Sequence, residues 1–461
     1  MEMQSKIMAR GDGDRLSDLP DAILLHILSM LWNPKEVVRS SVLSKRWQFL
    51  WKSVPISLDF ETSFGYSEKG IRDFVGSVNR ELHYWRSFEK IRKFRVSLYT
   101  YKKSYIKDID LWIHFATKVA NVEDFTLEIR FGGDLYEFPQ FAYKNTSLRN
   151  LDLRGCNLSP PGSVNWSRLV SLSLGDLELT DGIMGEVLSG CPNLECLELD
   201  SVSGIHRLEI SSVKLRELSI REYLNELEIL APYIQTLQIL GICPDINLQQ
   251  RNAASLVTAV LYLTAHFEDG EDDLEEECSY FKELLHSVAH VENLELGPWC
   301  IQCLSILELK GWQSQPSSRK SLKLNVALDQ MDFPGICSFL QSSADLETLV
   351  VDWYSHEPRD LLSEYTNEVE QSRRFETHNF NCSSLHLKTI KFINFDGPLS
   401  GNKSVLPFVK YLLKNAIVLE KFVITCRFIR SDVSRDYVKM KQEFLSFPRS
   451  SPHASIVFSY R

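Results

Sequence analysis

The chain has 461 residues, a net charge of −10, 44% apolar residues and 24% charged ones, the balance of an ordinary folded chain that fits about three domains, or a small module ahead of a repeat array. No apolar run approaches the ~18 residues of a membrane span, and residues 1–13 carry no hydrophobic stretch of the secretory kind. The ten cysteines are scattered without a disulfide framework, so they are expected as reduced thiols, many of them in the core of an intracellular protein of the cytoplasm or nucleus.

The first organised stretch runs from Asp14 to Val54. Pro20 stands where a first helical turn begins, a place where its missing donor costs nothing. Ile23, Leu24, Ile27 and Leu28 follow at helical spacing and predict one apolar stripe. Asn33-Pro34-Lys35-Glu36 reads as a second helix start, with a capping residue and a carboxylate three positions on. Val37, Val38, Val42 and Leu43 carry the apolar pattern forward, and Ser44 precedes a third short helix with Trp47, Leu50 and Trp51. Three short helices in roughly 40 residues cannot enclose about a dozen large apolar side chains. The excess is expected to pack on the rest of the chain or to dock in a partner's groove.

With its Leu16-Ser17-Asp18-Leu19-Pro20-Asp21 opening and Leu43-Ser44-Lys45-Arg46-Trp47 close, this stretch resembles an F-box of the plant form. The resemblance implies binding to the small adaptor subunit of SCF-type cullin–RING ubiquitin ligases, and through it to a cullin. Carried over position by position, the adaptor-binding residues are Leu16, Leu19, Pro20, Ile23, Leu24, Ile27, Leu28, Val37, Val38, Val42, Leu43 and Trp47. The link Leu31-Trp32-Asn33-Pro34 is bulkier than the family pattern.

A linker helix is expected at Ile71, Phe74, Val75, Val78 and Leu82, and another at Ile109, Trp112, Ile113, Ala116 and Ala120. Residues 80–107 are rich in base: Arg80, Arg86, Lys90, Arg92, Lys93, Arg95, Lys102, Lys103 and Lys107 face only Glu81 and Glu89. Such a patch suits a phosphate-rich ligand or nucleic acid. Alternatively, with Ile91, Phe94 and Val96 running through it, it is the wet face of a strand.

From residue 90 to 430 one pattern recurs: apolar, two residues, apolar, one residue, apolar. It appears at Leu148, Leu151, Leu153; Leu169, Leu172, Leu174; Leu194, Leu197, Leu199; Leu215, Leu218, Ile220; and Ile234, Leu237, Ile239. Val291, Leu294, Leu296 and Leu346, Leu349, Val351 repeat it, and weaker copies begin at Ile91, Val122, Leu256 and Leu304. From Leu148 to Leu256 the starts lie 21, 25, 21, 19 and 22 residues apart. The pattern resembles a leucine-rich repeat. Each unit supplies one strand whose last two apolar residues point inward, and units must stack to bury them. Residues 181–189 are predicted as a helix, while Ile205, Leu208, Ile210 and Leu224, Leu227, Ile229 predict short back-side strands.

Strand alternation puts the intervening residues on the other face. Asp152, Arg154, Glu198, Asp200, Glu217, Arg221 and Tyr262 are the candidate substrate-binding residues there. Their mixed chemistry suits a protein partner better than nucleic acid. Leu385 to Ile390, Val405 to Ala416 and Val418 to Ile424 resemble the FBD domain that follows F-box and repeats in many plant proteins, expected as a strand–helix–strand cap. Residues 268–277 hold eight acids and no base, read as a solvated loop entering a helix or as an attachment point for a basic partner.

The expected fold class is α/β (α+β): a flexible tail at 1–10, a three-helix F-box at 11–58, a curved leucine-rich-repeat solenoid with its linker helix at 59–375, and the FBD cap at 376–455. Gly11-x-Gly13 lacks the rest of a nucleotide fingerprint, no Gly-Lys-Ser/Thr loop or Gly-x-Ser-x-Gly elbow occurs, and Cys300-x-x-Cys303 lacks a second ligand pair for zinc. The implied function is therefore a non-catalytic substrate adaptor, with no cofactor, no metal and no membrane partner. A small-molecule co-receptor built on the basic stretch, and a scaffold that binds the adaptor outside a ligase, are the alternatives.

Overall fold

The computed structural model describes residues 19–31, 34–62, 67–86, 91–99, 102–130, 136–222, 226–242, 245–248, 253–264, 274–326, 330–353, 361–377, 386–395, 405–426 and 434–460. They form two compact units. One takes in the chain up to Leu177 with Ser189–Asn193, the other Glu178–Leu188 with Leu194–Arg461.

The first unit opens with the helices Asp21–Ser29, Pro34–Arg39 and Trp47–Leu50, the second and third each followed by a 3-10 turn. Five parallel strands follow, Ile56–Glu61, Ile91–Leu98, Asp124–Ile129, Asn150–Arg154 and Ser171–Glu178, each hydrogen-bonded to the next. The first of these precedes the start of the repeat read from the sequence, and the linker helix Glu68–Trp85 follows it. That helix starts where the Ser67 hydroxyl accepts from the Gly70 amide (3.2 Å). It buries Ile71, Val75, Val78 and Leu82 along one side. Strand alternation produces two apolar rows across the unit. Leu58, Phe94, Phe125, Leu151 and Leu172 make one; Phe60, Val96, Leu127, Leu153 and Leu174 make the other.

In the second unit the strands Cys196–Ser203, Glu217–Arg221, Thr236–Ile242, Thr258–Thr264, Asn293–Leu296, Ser321–Val326, Thr348–Trp353, Thr389–Phe395, Lys421–Cys426 and Ser455–Tyr460 are parallel and neighbour one another in chain order. Three return segments are strands, Arg207–Glu209, Leu227–Leu230 and Ile246–Asn247, paired side by side. The sequence spacing predicts the first two, Leu224 lies outside the described residues, and the third is not among the predicted strands. Later returns are the helices Leu274–Ser287, Pro298–Leu309, Phe333–Gln341, Glu368–Thr377, Val405–Asn415 and Ser434–Ser446. The strand–helix–strand order expected at the C-terminal end is present over Thr389–Cys426. It continues through one more helix and strand. Leu385, quoted for the FBD likeness, lies outside the described residues, as do residues 268–273 of the acidic run. Glu275, Glu276 and Glu277 form the first turn of Leu274–Ser287, where carboxylates complement the helix dipole.

Four successive strands of the second unit enter the sheet in the same way. One carbonyl of the preceding repeat accepts two successive amides: Glu292 from Lys320 and Ser321, Lys320 from Glu347 and Thr348, Glu347 from Lys388 and Thr389, and Lys388 from Glu420 and Lys421, all at 2.8–3.1 Å. The side chains at this entrance alternate in sign, Glu292, Lys320, Glu347, Lys388, Glu420. Lys320 Nζ lies 3.0 Å from the Glu292 carboxylate, and Lys388 Nζ 3.2 Å from that of Glu347.

Two positions depart from the sequence reading. The weak repeat copy at Leu304 is no strand: Leu304 lies within the helix Pro298–Leu309, all of whose residues from Trp299 to Leu307 are buried. A helix apolar on every side has no single stripe, and its i, i+3 pairs imitate the repeat. The strand of this repeat is Ser321–Val326, with Leu322 and Leu324 inward. Arg319 then takes the place of the repeat's first leucine. It is 1% exposed, sits over the Phe339 ring at 4.4 Å, and its Nε and Nη1 reach no hydrogen-bond partner among the described residues. Burial lowers its pKa to about 10.

A buried cation held mainly by an aromatic face is costly, and an apolar side chain of similar reach removes that cost. Arg319→Leu is expected to stabilise the second unit by about 1–4 kcal/mol, read as a higher midpoint in urea unfolding. Gly155 in the first unit has φ +66, and a Cβ there would lie 1.8 Å from the Ile129 carbonyl oxygen. Gly155→Ala is expected to cost at least about 2 kcal/mol in the same measurement.

Candidate functional site

The N-terminal helical module has an inside and an outside. Leu24, Leu28, Val37, Trp47, Trp51 and Val54 form its buried core, and Leu19, Leu25, Val38 and Leu50 pack partly buried against it. Short helices reach this core because each contributes only one or two side chains, so the module encloses more than its size suggests. The stripe predicted for the first helix divides in two. Leu24 and Leu28 turn inward, while Ile23 and Ile27, one position earlier, face solvent at 46% and 37% exposure.

Of the twelve residues carried over from the F-box resemblance, Leu24, Leu28, Val37 and Trp47 are therefore core, and Leu19 and Val38 are half-buried. Pro20, Ile23, Ile27, Val42 and Leu43 are exposed, Val42 at 84% and Leu43 at 63%. Leu16 lies outside the described residues, as does Asn33 of the second helix start. Three further apolar residues share the exposure without having been picked from the sequence: Met30, Leu31 and Phe49. The signal for two of them was there. Ile23, Ile27, Met30 and Leu31 follow i, i+4, i+7, i+8, one continuous helical face. Phe49, under the Lys52 ammonium at 5.5 Å, had no such pattern.

The module is tied internally and to the first repeat. Pro20 precedes the first helix, and its carbonyl accepts from the Ile23 and Leu24 amides. Arg46 donates from Nε to Asp21 Oδ1 (2.8 Å) and from Nη2 to the Leu19 carbonyl (2.6 Å), fixing the start of the first helix against the third. Lys35 on the second helix meets Glu81 of the linker helix at 2.7 Å.

The open face of each sheet is charged and internally paired. In the first unit Arg95 reaches Asp59 (3.3 Å), Glu61 (3.2 Å) and Glu128 (3.5 Å). Burial works to raise the Glu128 carboxyl, but hydrogen bonds from Arg130 and Ser97 and the nearby Arg95 outweigh it and hold the group below its ordinary value. Asp152 stands opposite Thr126 and Ser173, accepts from Arg154 Nε at 3.2 Å, and is pushed up by burial against the pull of that arginine. Arg92 meets Glu123 (3.4 Å) and Asp124 (3.9 Å), and Lys102 meets Glu68 (3.3 Å). The basic stretch at 80–107 thus has acidic neighbours that local sequence does not reveal, because most come from adjoining strands.

In the second unit Asp200 stands opposite Arg221, which lies 3.5 Å from the Glu198 carboxylate. Glu217 accepts from the Cys196 thiol at 3.4 Å. Tyr262 follows on the same face, opposite Leu240. Further along, Lys323 bridges Glu295 (2.9 Å) and Asp352 (3.7 Å). The candidate residues of this unit share one face, with acids on Cys196–Ser203, an acid and a base on Glu217–Arg221, and the neutral Tyr262 beyond them. No group of three or more metal-ligating side chains is found among the described residues, and no helix among them is long and apolar enough to cross a membrane.

Comparison with known proteins accounts for both features. A model of the LRR domain of the At1g61320/AtMIF1 type matches residues 86–446, and an F-box-like model matches residues 16–53. F-box/LRR-repeat protein At3g03360 of Arabidopsis thaliana is 30% identical over 97% of this chain and 91% of its own length. Putative F-box/LRR-repeat protein At5g02930 of the same plant is 30% identical over 73% of this chain and 72% of its own. F-box/LRR-repeat protein 25, also from Arabidopsis thaliana, is 34% identical over 50% of this chain and 88% of its own. The chain is a member of the F-box/LRR-repeat family.

Proposed function

We propose that this protein is a non-catalytic substrate adaptor of an SCF-type ubiquitin ligase. The exposed apolar face of the F-box docks on the ligase's small adaptor subunit, and through it on a cullin. The open face of the repeat sheet holds a target protein, so that target lysines stand near a charged ubiquitin-conjugating enzyme. Catalysis is by proximity: tethering raises the effective concentration of the reacting pair without chemistry from this chain.

The observation that carries this reading is the exposure of Ile23, Ile27, Met30, Leu31, Val42, Leu43 and Phe49 on a module whose core is already closed. These side chains are not needed to fold the module, and several large apolar residues left in water on one small domain mark a docking face. Leu24, Leu28, Val37 and Trp47 then act from beneath, by holding the helices that present this face. The open sheet face supports protein recognition because acids and bases are interspersed and paired on it, which favours a partner of mixed charge over a polyanion.

Ile23→Asp and Leu43→Asp are each expected to weaken binding of the purified adaptor subunit at least tenfold in a titration, while the melting temperature of the chain stays within about 2 °C, as befits exposed positions. Unchanged affinity in both variants would remove the F-box assignment of this surface. For the second face, proximity labelling in plant cells under proteasome inhibition is expected to yield proteins that accumulate with the wild-type chain. Arg221→Glu with Tyr262→Ala should lose them while retaining the adaptor.

A further inference from the structure

Cys278 and Cys303 lie on the consecutive helices Leu274–Ser287 and Pro298–Leu309, and their sulfurs share a hydrogen bond at 3.3 Å. Both are thiols, 2% and 0% exposed. Sequence spacing pairs Cys303 with Cys300 instead. The fold turns Cys300 away, donating to the Leu261 carbonyl at 3.3 Å, and brings Cys278 in from 25 residues upstream.

Cys278 also differs chemically from several other buried thiols. Burial pushes Cys156, Cys191 and Cys300 up to about 12 and Cys426 to about 11, which leaves them protonated and inert. Cys278 is displaced the other way. Its hydrogen bond with Cys303 outweighs burial, and the Lys310 cation adds to the effect. Lys310 follows the helix of Cys303, is paired with Glu275 on the helix of Cys278 at 2.7 Å, and lies 5.3 Å over the Tyr365 ring. A favoured thiolate, a second thiol against it and a cation fixed nearby are the parts of a redox-active pair.

We propose that Cys278 and Cys303 are a reversible oxidation site, in which hydrogen peroxide converts the pair to a disulfide joining the two helices. The Cys278 thiolate attacks one peroxide oxygen, and the O–O bond breaks. The leaving hydroxide takes up the proton released by Cys278 and becomes water, while Cys278 is left as a sulfenic acid. Cys303 sulfur then attacks the Cys278 sulfur. The S–S bond forms, the S–O bond breaks, and the oxygen leaves as a second water with the Cys303 proton. Two thiols lose two electrons and peroxide gains them. Closing the sulfurs from 3.3 Å to the ~2.05 Å of a bond is a movement of side-chain scale. Burial sets the rate through local opening and leaves the partner choice unchanged.

The test is non-reducing peptide mapping of the full-length chain after graded hydrogen peroxide, with free thiols alkylated under denaturing conditions. The expected product is one cross-linked peptide pair carrying Cys278 and Cys303, lost on dithiothreitol treatment, with Cys156 and Cys300 still alkylated. In Cys303→Ser, Cys278 is expected to accumulate as a sulfenic acid that dimedone traps. If that variant does not fold, the wild-type mapping decides alone. Recovery of both cysteines as alkylated thiols at every dose that oxidises methionine would overturn the proposal. So would a Cys300–Cys303 cross-link, or Cys278 carried directly to sulfinic acid.

Discussion

Everything in this chain depends on apolar side chains that find their partners in the neighbouring repeat. A single short strand with two inward leucines cannot remove them from water. Stacked in register, Leu218 lies between Leu197 and Leu237, and Ile220 between Leu199 and Ile239, and all of them fall to 1% exposure or less. At roughly 25 cal/mol per Å², each buried leucine or isoleucine contributes about 1.5–3 kcal/mol, and that gain exists only when both neighbours are present. The same stacking carries the opposite face with it. Every inward pair fixes an outward pair, so the charged rows of the open face are set by the hydrophobic ones behind them.

How much of this was legible followed from which period governed each stretch. The alternation of two in strands such as Leu151-x-Leu153 and Leu197-x-Leu199 is local, and the sequence showed it at the right residues. The back-side strands around Leu208 and Ile229 were visible for the same reason. Leu304 misled because a fully buried helix and a repeat share an i, i+3 pair, and only burial on all sides separates them. Arg319 was hidden because the repeat pattern has leucine there, and no local rule expects a guanidinium to be stacked on Phe339 instead. In the F-box, helical spacing located Ile23, Leu24, Ile27 and Leu28 but could not say that the first helix is walled on one side only. That depends on Trp47 and Trp51, which are brought against Leu24 and Leu28 by the turns between the helices.

The F-box is held by polar ties outside its apolar core. Arg46 ties the start of the first helix to the third, and Lys35 ties the second helix to Glu81 on the linker helix, which carries the buried stripe Ile71, Val75, Val78 and Leu82. The docking face we propose, supported in this way, would be set in orientation before any partner arrives, which lowers the ordering cost of association. The exposed pairs add little stability by themselves. Their role is directional: they select one seating of a small module on a much larger support.

The alternating charges at the strand entrances, Glu292, Lys320, Glu347, Lys388 and Glu420, bear on how the array changes in length. Excising one repeat from this stretch would leave two carboxylates or two ammonium groups side by side at the new junction, whereas excising two in tandem would preserve the alternation. Gain or loss in pairs is therefore the electrostatically neutral route, and the stretch carries a parity that the hydrophobic rows, indifferent to repeat number, do not impose.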